Sequence, residues 1–453
     1  MTTLSGEPGW EATFYDHDGA GNPRNEINSY VLNDTRVKLN DYQTTGLTPT
    51  WTIKLNGLFT PDETGLFEFG LIVCGKAKLW VDGVFTIDNW SKQRPGNFFY
   101  GQGTTEETAT VYLTAGKPVR IDIEYLNVVE EIEGAVLDRS NPAKMLCVRL
   151  GGAMAIQPDE AMQAAVDLAK ESDVAVIVAG LTSEWEAEGS DRPTLDLPAR
   201  QHELIQKVIE VNPRTIVVVQ AGSATSMPYA HQAAAVLQAW YSGNEVGNAI
   251  ADVLFGTHNP SGKLPISFPA RIEDIGPASY STRCENGKIT YREDLFVGYK
   301  HYATLGSNGV HPLFAFGYGL SYSTFTISSL EISSPKSFSA SPFQLELSVK
   351  VTNIGATTGS EVAQAYVTLP ETSRLTHPKY QLRAFAKAKD IAPGETREVK
   401  LSLNKYSVSY WDDGQDCWVA EQGQYCVSVG TASNDLPLKA TFQVDQAFTW
   451  MGL

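Results

Sequence analysis

The spacing of apolar positions divides the 453-residue chain into three stretches. Over residues 5–150, apolar and polar side chains alternate in short runs: TWTIKLNGLFTP, GLFEFGLIV, KAKLWVDGVFTI and PVRIDIEYLNV. A period of two, bounded by Gly, Pro, Asn and Asp, is what half-buried strands require. Several such strands at short spacing predict a β-sandwich or barrel. The period changes near Ile156. DEAMQAAVDLAKES predicts an amphipathic helix and DVAVIVAG a buried strand. LPARQHELIQKVIEVN predicts a second helix with Pro198 in its first turn. RTIVVVQAG and AVLQAWY read as further strands, and EVGNAIADVLFG as a helix ending at Gly256. Strands alternating with helices over residues 151–325 predict a parallel sheet with helices on its faces. Period two returns over residues 326–453, in FQLELSVKVTNIG, SEVAQAYVTL, TREVKLSLNKY and QYCVSVG, as in a Greek-key sandwich. NPSGKLPISFPARIEDIGPASYSTRCENGK reads as a long wrapping connection, and the aromatic string from Phe314 to Phe325 as glue between the last two domains.

Charge narrows the partners. Thirty-five basic against 52 acidic residues leave −17, which repels phosphate backbones and anionic lipid. No nucleic-acid or membrane partner is expected, and no apolar run approaches the ~20 residues that span a bilayer. The opening MTTLSGEPGWEATFYD lacks the basic and apolar regions of a secretion signal, which favours a cytoplasmic location. The five scattered cysteines, Cys74, Cys147, Cys284, Cys417 and Cys426, form no disulfide framework and read as free thiols.

The chemistry concentrates in LTSEWEAEGSDRPTLDLP, residues 181–198, directly after a predicted parallel strand. Loops at the carboxyl ends of such strands are where α/β sheets bind ligands. This one carries Glu184, Trp185, Glu186, Glu188, Gly189, Asp191 and Arg192. Carboxylates crowded beside an aromatic ring can raise one carboxyl pKa, as a general acid needs. Arg192 can hold Asp191 ionised or bind a substrate hydroxyl. The plainer reading is a solvated acidic loop that caps the next helix. Elsewhere, His202 reads as a surface residue of a helix. The other histidines show no HxH or HExxH spacing, so no metal site is expected. Asp82 and Asp88 suit an Asp-Gly hairpin better than calcium. The sequons at Asn33 and Asn89 suit an intracellular or a secreted protein alike.

EAEGSDRPTLDLP, NEVGNAIADVLFGTHNPSGKLPISFP and YREDLFVGYKHYATLGSNGVHPLFAFGYGLSYSTF together resemble glycoside hydrolase family 3, above all its PA14-bearing fungal and yeast β-glucosidases. VTNIGATTGSEVAQAYVTLP with IAPGETREVKLSL looks like that family's fibronectin-III-like tail, and GLFEFGLIVCGKAKLWVDGVFTIDNW is similar to PA14 domains. The resemblance implies three domains: a PA14-like β-sandwich (5–150), an incomplete α/β sandwich (151–325) and a fibronectin-III-like β-sandwich (326–453). It implies that Glu188, before Gly189, Ser190, Asp191 and Arg192, is the acid/base carboxylate, with Glu184 as the rival. Trp185, Asp191 and Arg192 would then bind substrate. Phe98 and Phe99, in NWSKQRPGNFFYGQG, would be a platform for the leaving sugar or ordinary core rings. No metal or organic cofactor is implied.

Family members begin with a barrel domain that supplies the nucleophilic Asp, and no S-D-W-like motif occurs in this chain. The opening elements of the α/β domain are likewise absent, so an edge and an apolar face should lie bare. Three readings follow: a β-glucosidase that acts with a barrel-bearing partner chain or within a longer precursor; a repurposed, self-sufficient homo-oligomer using Glu188 alone on a non-sugar substrate; or a non-catalytic carbohydrate-binding protein.

Overall fold

The computed structural model describes residues 1–18, 22–39, 42–96, 98–128, 145–183, 185–188, 192–275, 287–288, 291, 293–305, 309–333, 337–338, 343–371, 373 and 376–452. These form two compact units: residues 1–173 with 181–193, and residues 174–180 with 194–453.

In the first unit, six strands pair in the order Pro23–Leu32, Trp10–His17, Trp51–Phe59, Val119–Leu126, Lys76–Val81, Val84–Asn89. Four more pair in the order Val37–Lys38, Cys147–Met154, Gly65–Cys74, Glu107–Leu113. The alternation read from the sequence sends Ile53, Leu55, Ile121 and Ile123 of the larger sheet and Phe67, Phe69, Leu71 and Val148 of the smaller into one apolar core. Asp82 and Gly83, at φ 49° and 75°, make the two-residue turn of the Lys76–Val81/Val84–Asn89 hairpin. Positive φ at both positions matches the strands' right-handed twist, which is why Asp-Gly serves there. Asn89 is fully buried, and its amide donates to the Leu71 carbonyl and to Thr104 Oγ1, each at 2.8 Å. The sequon at Asn89 is therefore closed to glycosylation in the folded protein, while Asn33 is exposed.

Cys74 and Cys147 face each other across neighbouring antiparallel strands, both free and buried. Burial disfavours the thiolate and pushes the Cys147 thiol up to about 11 and the Cys74 thiol higher still. We expect neither to be alkylated by iodoacetamide at pH 8 until the chain is unfolded, as mass spectrometry would read. The sign for stability follows. Both pKa values are raised by folding, so the contribution is complete below the unfolded thiol value near 9 and is lost as pH climbs toward 11. Cys147→Ala should lessen the fall in unfolding midpoint over that window; an unchanged fall would contradict it.

The second unit holds a parallel sheet, Ala175–Gly180, Thr215–Gln220, Ala235–Gln238, in that order. The crossover helix Gln201–Val211 buries Ile205, Val208 and Ile209, its i, i+3, i+4 stripe. Three details depart from the sequence reading. Pro198 lies outside the helix, because Ala199 at φ 53° turns the chain before Gln201. The third strand stops at Gln238, since Trp240 takes φ 54°. His202 is half-buried, its ring edge-on to Tyr229 at 5.9 Å, rather than on the surface. The Val246–Leu254 helix ends two residues before Gly256, whose φ of 76° reverses the chain.

Val176 and Val178 on the edge strand and Val174 just before it remain 47, 57 and 46% exposed, and Phe255 after the Val246–Leu254 helix is 86% exposed. Alternate positions of one strand point the same way, so these valines form a bare apolar strip.

Further along the same unit, one sheet orders Phe325–Ile332, Gln344–Asn353, Thr396–Asn404 and another Ser337–Phe338, Leu438–Val444, Gly423–Gly430, Gly359–Thr368, Gln381–Ile391. They close around Leu345, Leu347, Val349, Ala365, Tyr425 and Val427. The aromatic string fastens this β portion to the preceding α/β portion. Phe316 stacks on Tyr299 at 4.7 Å, its carbonyl accepts from Ser433 N–H at 2.9 Å, and the Gly317 carbonyl accepts from Gln364 at 3.1 Å. Lys263 joins in, paired with Glu361 at 2.8 Å and donating to the Gly319 carbonyl at 2.8 Å.

Candidate functional site

The acidic loop leaves the Ala175–Gly180 strand at its carboxyl end. Gln201, first residue of the following helix, clasps that point: its amide accepts from Gly180 N–H at 2.8 Å and donates to the Gly180 carbonyl at 3.0 Å. A β-carbon on Gly180 would collide with the Gln220 carbonyl, so only glycine allows the two strands to end side by side. The exit of the loop is thus set by two residues that motif reading passed over. The visible hint was a glutamine opening a helix just after the loop.

Within the loop, Trp185 and Glu186 N–H groups both donate to the Thr182 carbonyl, at 2.9 and 3.0 Å, making one helical turn. Arg36 reaches Ser183 Oγ at 3.5 Å. Trp185 is 40% exposed, Glu188 is exposed and Arg192 is half-buried. Glu184 and Asp191 lie outside the described residues. A carboxylate on an exposed loop can exchange a proton with a bound molecule, and an indole and a guanidinium of the same loop sequence can offer a stacking face and a hydroxyl donor.

Phe98 and Phe99 stand in the short helix Phe98–Gly101. Phe99, 7% exposed, sits in a small core with Ile72, Cys74, Met145 and Cys147. Phe98 packs against this cluster half-buried, with the Arg149 guanidinium 5.3 Å from its ring centre. Of the two readings of this pair, core ring describes Phe99, and only Phe98 has a surface to offer. Among the described residues, no three His, Cys, Asp or Glu side chains converge as metal ligands, and no helix is long and apolar enough to cross a membrane.

Residues 20–322 match the Glycosyl hydrolase family 3 C-terminal domain, and residues 361–433 the Fibronectin type III-like domain. The chain is 37% identical, over its whole length, to the "Probable beta-glucosidase I" of Aspergillus clavatus, of which it covers 54%. It is 39% identical over its whole length to the "Probable beta-glucosidase J" of Neosartorya fischeri, of which it covers 53%. The crystal structure of a β-glucosidase from Kluyveromyces marxianus in complex with glucose superposes with a TM-score of 0.85 at 35% identity, over 98% of this chain and 51% of that one. The chain thus spans about half the length of the curated relatives it matches. A family match over residues 20–322 of 453, seconded by relatives that follow the chain from end to end, means that it belongs to glycosyl hydrolase family 3.

Proposed function

We propose that this chain is the acid/base half of a β-glucosidase, and that Glu188 is its proton donor. What supports the reading is the exposed Glu188 carboxylate, on the loop leaving the carboxyl end of a parallel strand, in a chain akin to β-glucosidases throughout. The substrate is a β-glucoside. A retaining glycosidase needs two carboxyl groups about 5–5.5 Å apart across the scissile bond. The second, the nucleophile, comes from a barrel domain, in a longer form of this protein or on a partner chain. The barrel carboxylate attacks the anomeric carbon while Glu188 protonates the leaving oxygen. Glu188 then takes a proton from the water that releases glucose. Trp185, Asp191 and Arg192 bind the sugar, and the chemistry calls for no metal or organic cofactor. The leading β portion is a PA14-like sandwich whose Phe98 ring borders the leaving sugar. The parallel sheet belongs to an α/β sandwich, and the tail is a fibronectin-III-like sandwich.

The bare Val174, Val176 and Val178 side chains leave an apolar strip on the sheet, which calls for cover by a longer form of this chain, a partner or a second copy. Purified alone, the chain should not turn over 4-nitrophenyl β-glucoside. Co-expressed with the barrel half of a related β-glucosidase, it should. Full turnover by the isolated chain would defeat the proposal, as would inactivity of a co-purified complex.

A further inference from the structure

The second unit gives Arg383 a place of its own. Strands Gly359–Thr368 and Gln381–Ile391 pair with Ala365 opposite Ala384 and Tyr366 opposite Leu382, so Arg383 is the extra residue of a β-bulge. A bulge leaves its extra residue out of the ladder and re-aims its side chain. The Leu382 N–H, one residue earlier, donates at 2.8 Å to the hydroxyl of Tyr299, which opens the helix Tyr299–Leu305. Tyr299 is itself fixed, stacked on Phe316 at 4.7 Å and edge-on to Tyr366 at 5.8 Å. The helix so tied carries Lys300, close enough to Arg383 for the two charges to act on each other.

Both cations are half-buried. Arg383 Nη2 donates to Gln381 Oε1 at 2.9 Å and to the Ser409 carbonyl at 3.5 Å, both neutral acceptors. Among the described residues, no carboxylate pairs with Arg383 or with Lys300. Lys263 of the same unit, by contrast, has Glu361 at 2.8 Å. Burial, and after it the Arg383 charge, push the pKa of the Lys300 ammonium below its ordinary value, and burial does the same to the Arg383 guanidinium. Two like charges drawn out of water without a counter-charge oppose folding. A chain with 52 acidic residues that sets none of the described ones against this pair leaves room for a negative charge from outside.

We propose that Arg383 and Lys300 form a binding site for a phosphate group, free or esterified. Two cations match a dianion, whereas a single carboxylate would leave one of them uncovered. The planar guanidinium donates to phosphate oxygens from fixed directions, and the ammonium adds a point charge. The bulge and Tyr299 hold the arginine in place. The site is independent of the Glu188 loop, and its failure would leave the glycosidase reading untouched.

Calorimetric titration of the whole chain with inorganic phosphate at low ionic strength tests it. One saturable site is expected. Arg383→Gln and Lys300→Met should each weaken it about tenfold to a hundredfold, the worth of a hydrogen bond to a charged group. Lys439→Met, at an exposed lysine three strands away in the same sheet, should change nothing. Acetate should bind at least about tenfold more weakly than phosphate, since it carries one charge. Glycerol 3-phosphate separates the two sources: equal or tighter binding makes this a site for phosphate esters, and much weaker binding a site for free phosphate. Thermal unfolding gives a second reading. Without phosphate, Lys300→Met should melt no lower than the parent, because it removes an unpaired, repelled charge. Added phosphate should raise the parent's midpoint and leave the variant's where it was. No saturable binding by the parent, undiminished affinity in Arg383→Gln and Lys300→Met, acetate binding as tightly as phosphate, or a clear drop in the Lys300→Met midpoint without phosphate would overturn the proposal.

Discussion

Replacing Glu188 by glutamine, in a protein that has both catalytic carboxyls, should lower kcat on alkyl β-glucosides about 10²- to 10⁴-fold, the usual worth of general acid–base catalysis. At 1.36 kcal/mol per tenfold, this is about 3 to 5 kcal/mol of barrier. Glutamine keeps the shape of the side chain and removes only the transferable proton. The loss should shrink with a leaving group acidic enough to depart unaided, such as 2,4-dinitrophenolate. Release of the sugar would then become limiting, because water lacks its base. Azide, which attacks without losing a proton, should restore turnover and yield a glycosyl azide. Glu184→Gln is the control, since that residue shares the loop. A Glu184→Gln enzyme with the full loss, beside an active Glu188→Gln enzyme, would exchange the assignments. Exposure of Glu188 here bears on the size of the effect. A carboxylate in open water is a weak catalyst, so the rate it confers depends on a second wall that excludes solvent and presents the substrate.

Lys263→Ala should damage the fold strongly, lowering stability by about 3 to 5 kcal/mol. Lys263 and Glu361 pair at 2.8 Å with side chains only 13% and 10% exposed. Removing the lysine leaves a carboxylate shut away from water, with its neighbour's Val362 N–H, at 2.6 Å, as a remaining donor. The Gly319 carbonyl also loses its 2.8 Å bond. The cost arises from the stranded charge rather than from lost attraction. Lys263→Met combined with Glu361→Leu should therefore recover most of it. Urea unfolding followed by fluorescence reads both. If the single variant unfolded within about 0.5 kcal/mol of the parent, as an exposed pair would allow, this account would fail.

Much of the architecture was legible because its signals are local. Period two in KAKLWVDGVFTI and FQLELSVKVTNIG requires one face inward, and both became strands with alternating burial. Asp82-Gly83 announced its own turn. The helix at 201–211 was visible from its apolar stripe, yet its start was misjudged, because Ala199 takes a left-handed conformation that no residue type there demands. The family resemblance was legible because two of its three motifs are long and specific, and the matched domains bear it out.

What one side chain does was harder to read. Phe98 and Phe99 are identical neighbours, and only the packing of Ile72, Cys74 and Met145 decides which is core. Asn89 sits in a textually valid sequon, but strands distant in sequence close over it. Order, type and facing of the strands and helices were determined by the sequence itself, because periodicity and turn chemistry act between neighbours. Burial of a given phenylalanine and pairing of Lys263 with Glu361 were decided only in three dimensions. Each depends on which distant segments exclude water together, and that is a property of the packed chain rather than of any stretch of it.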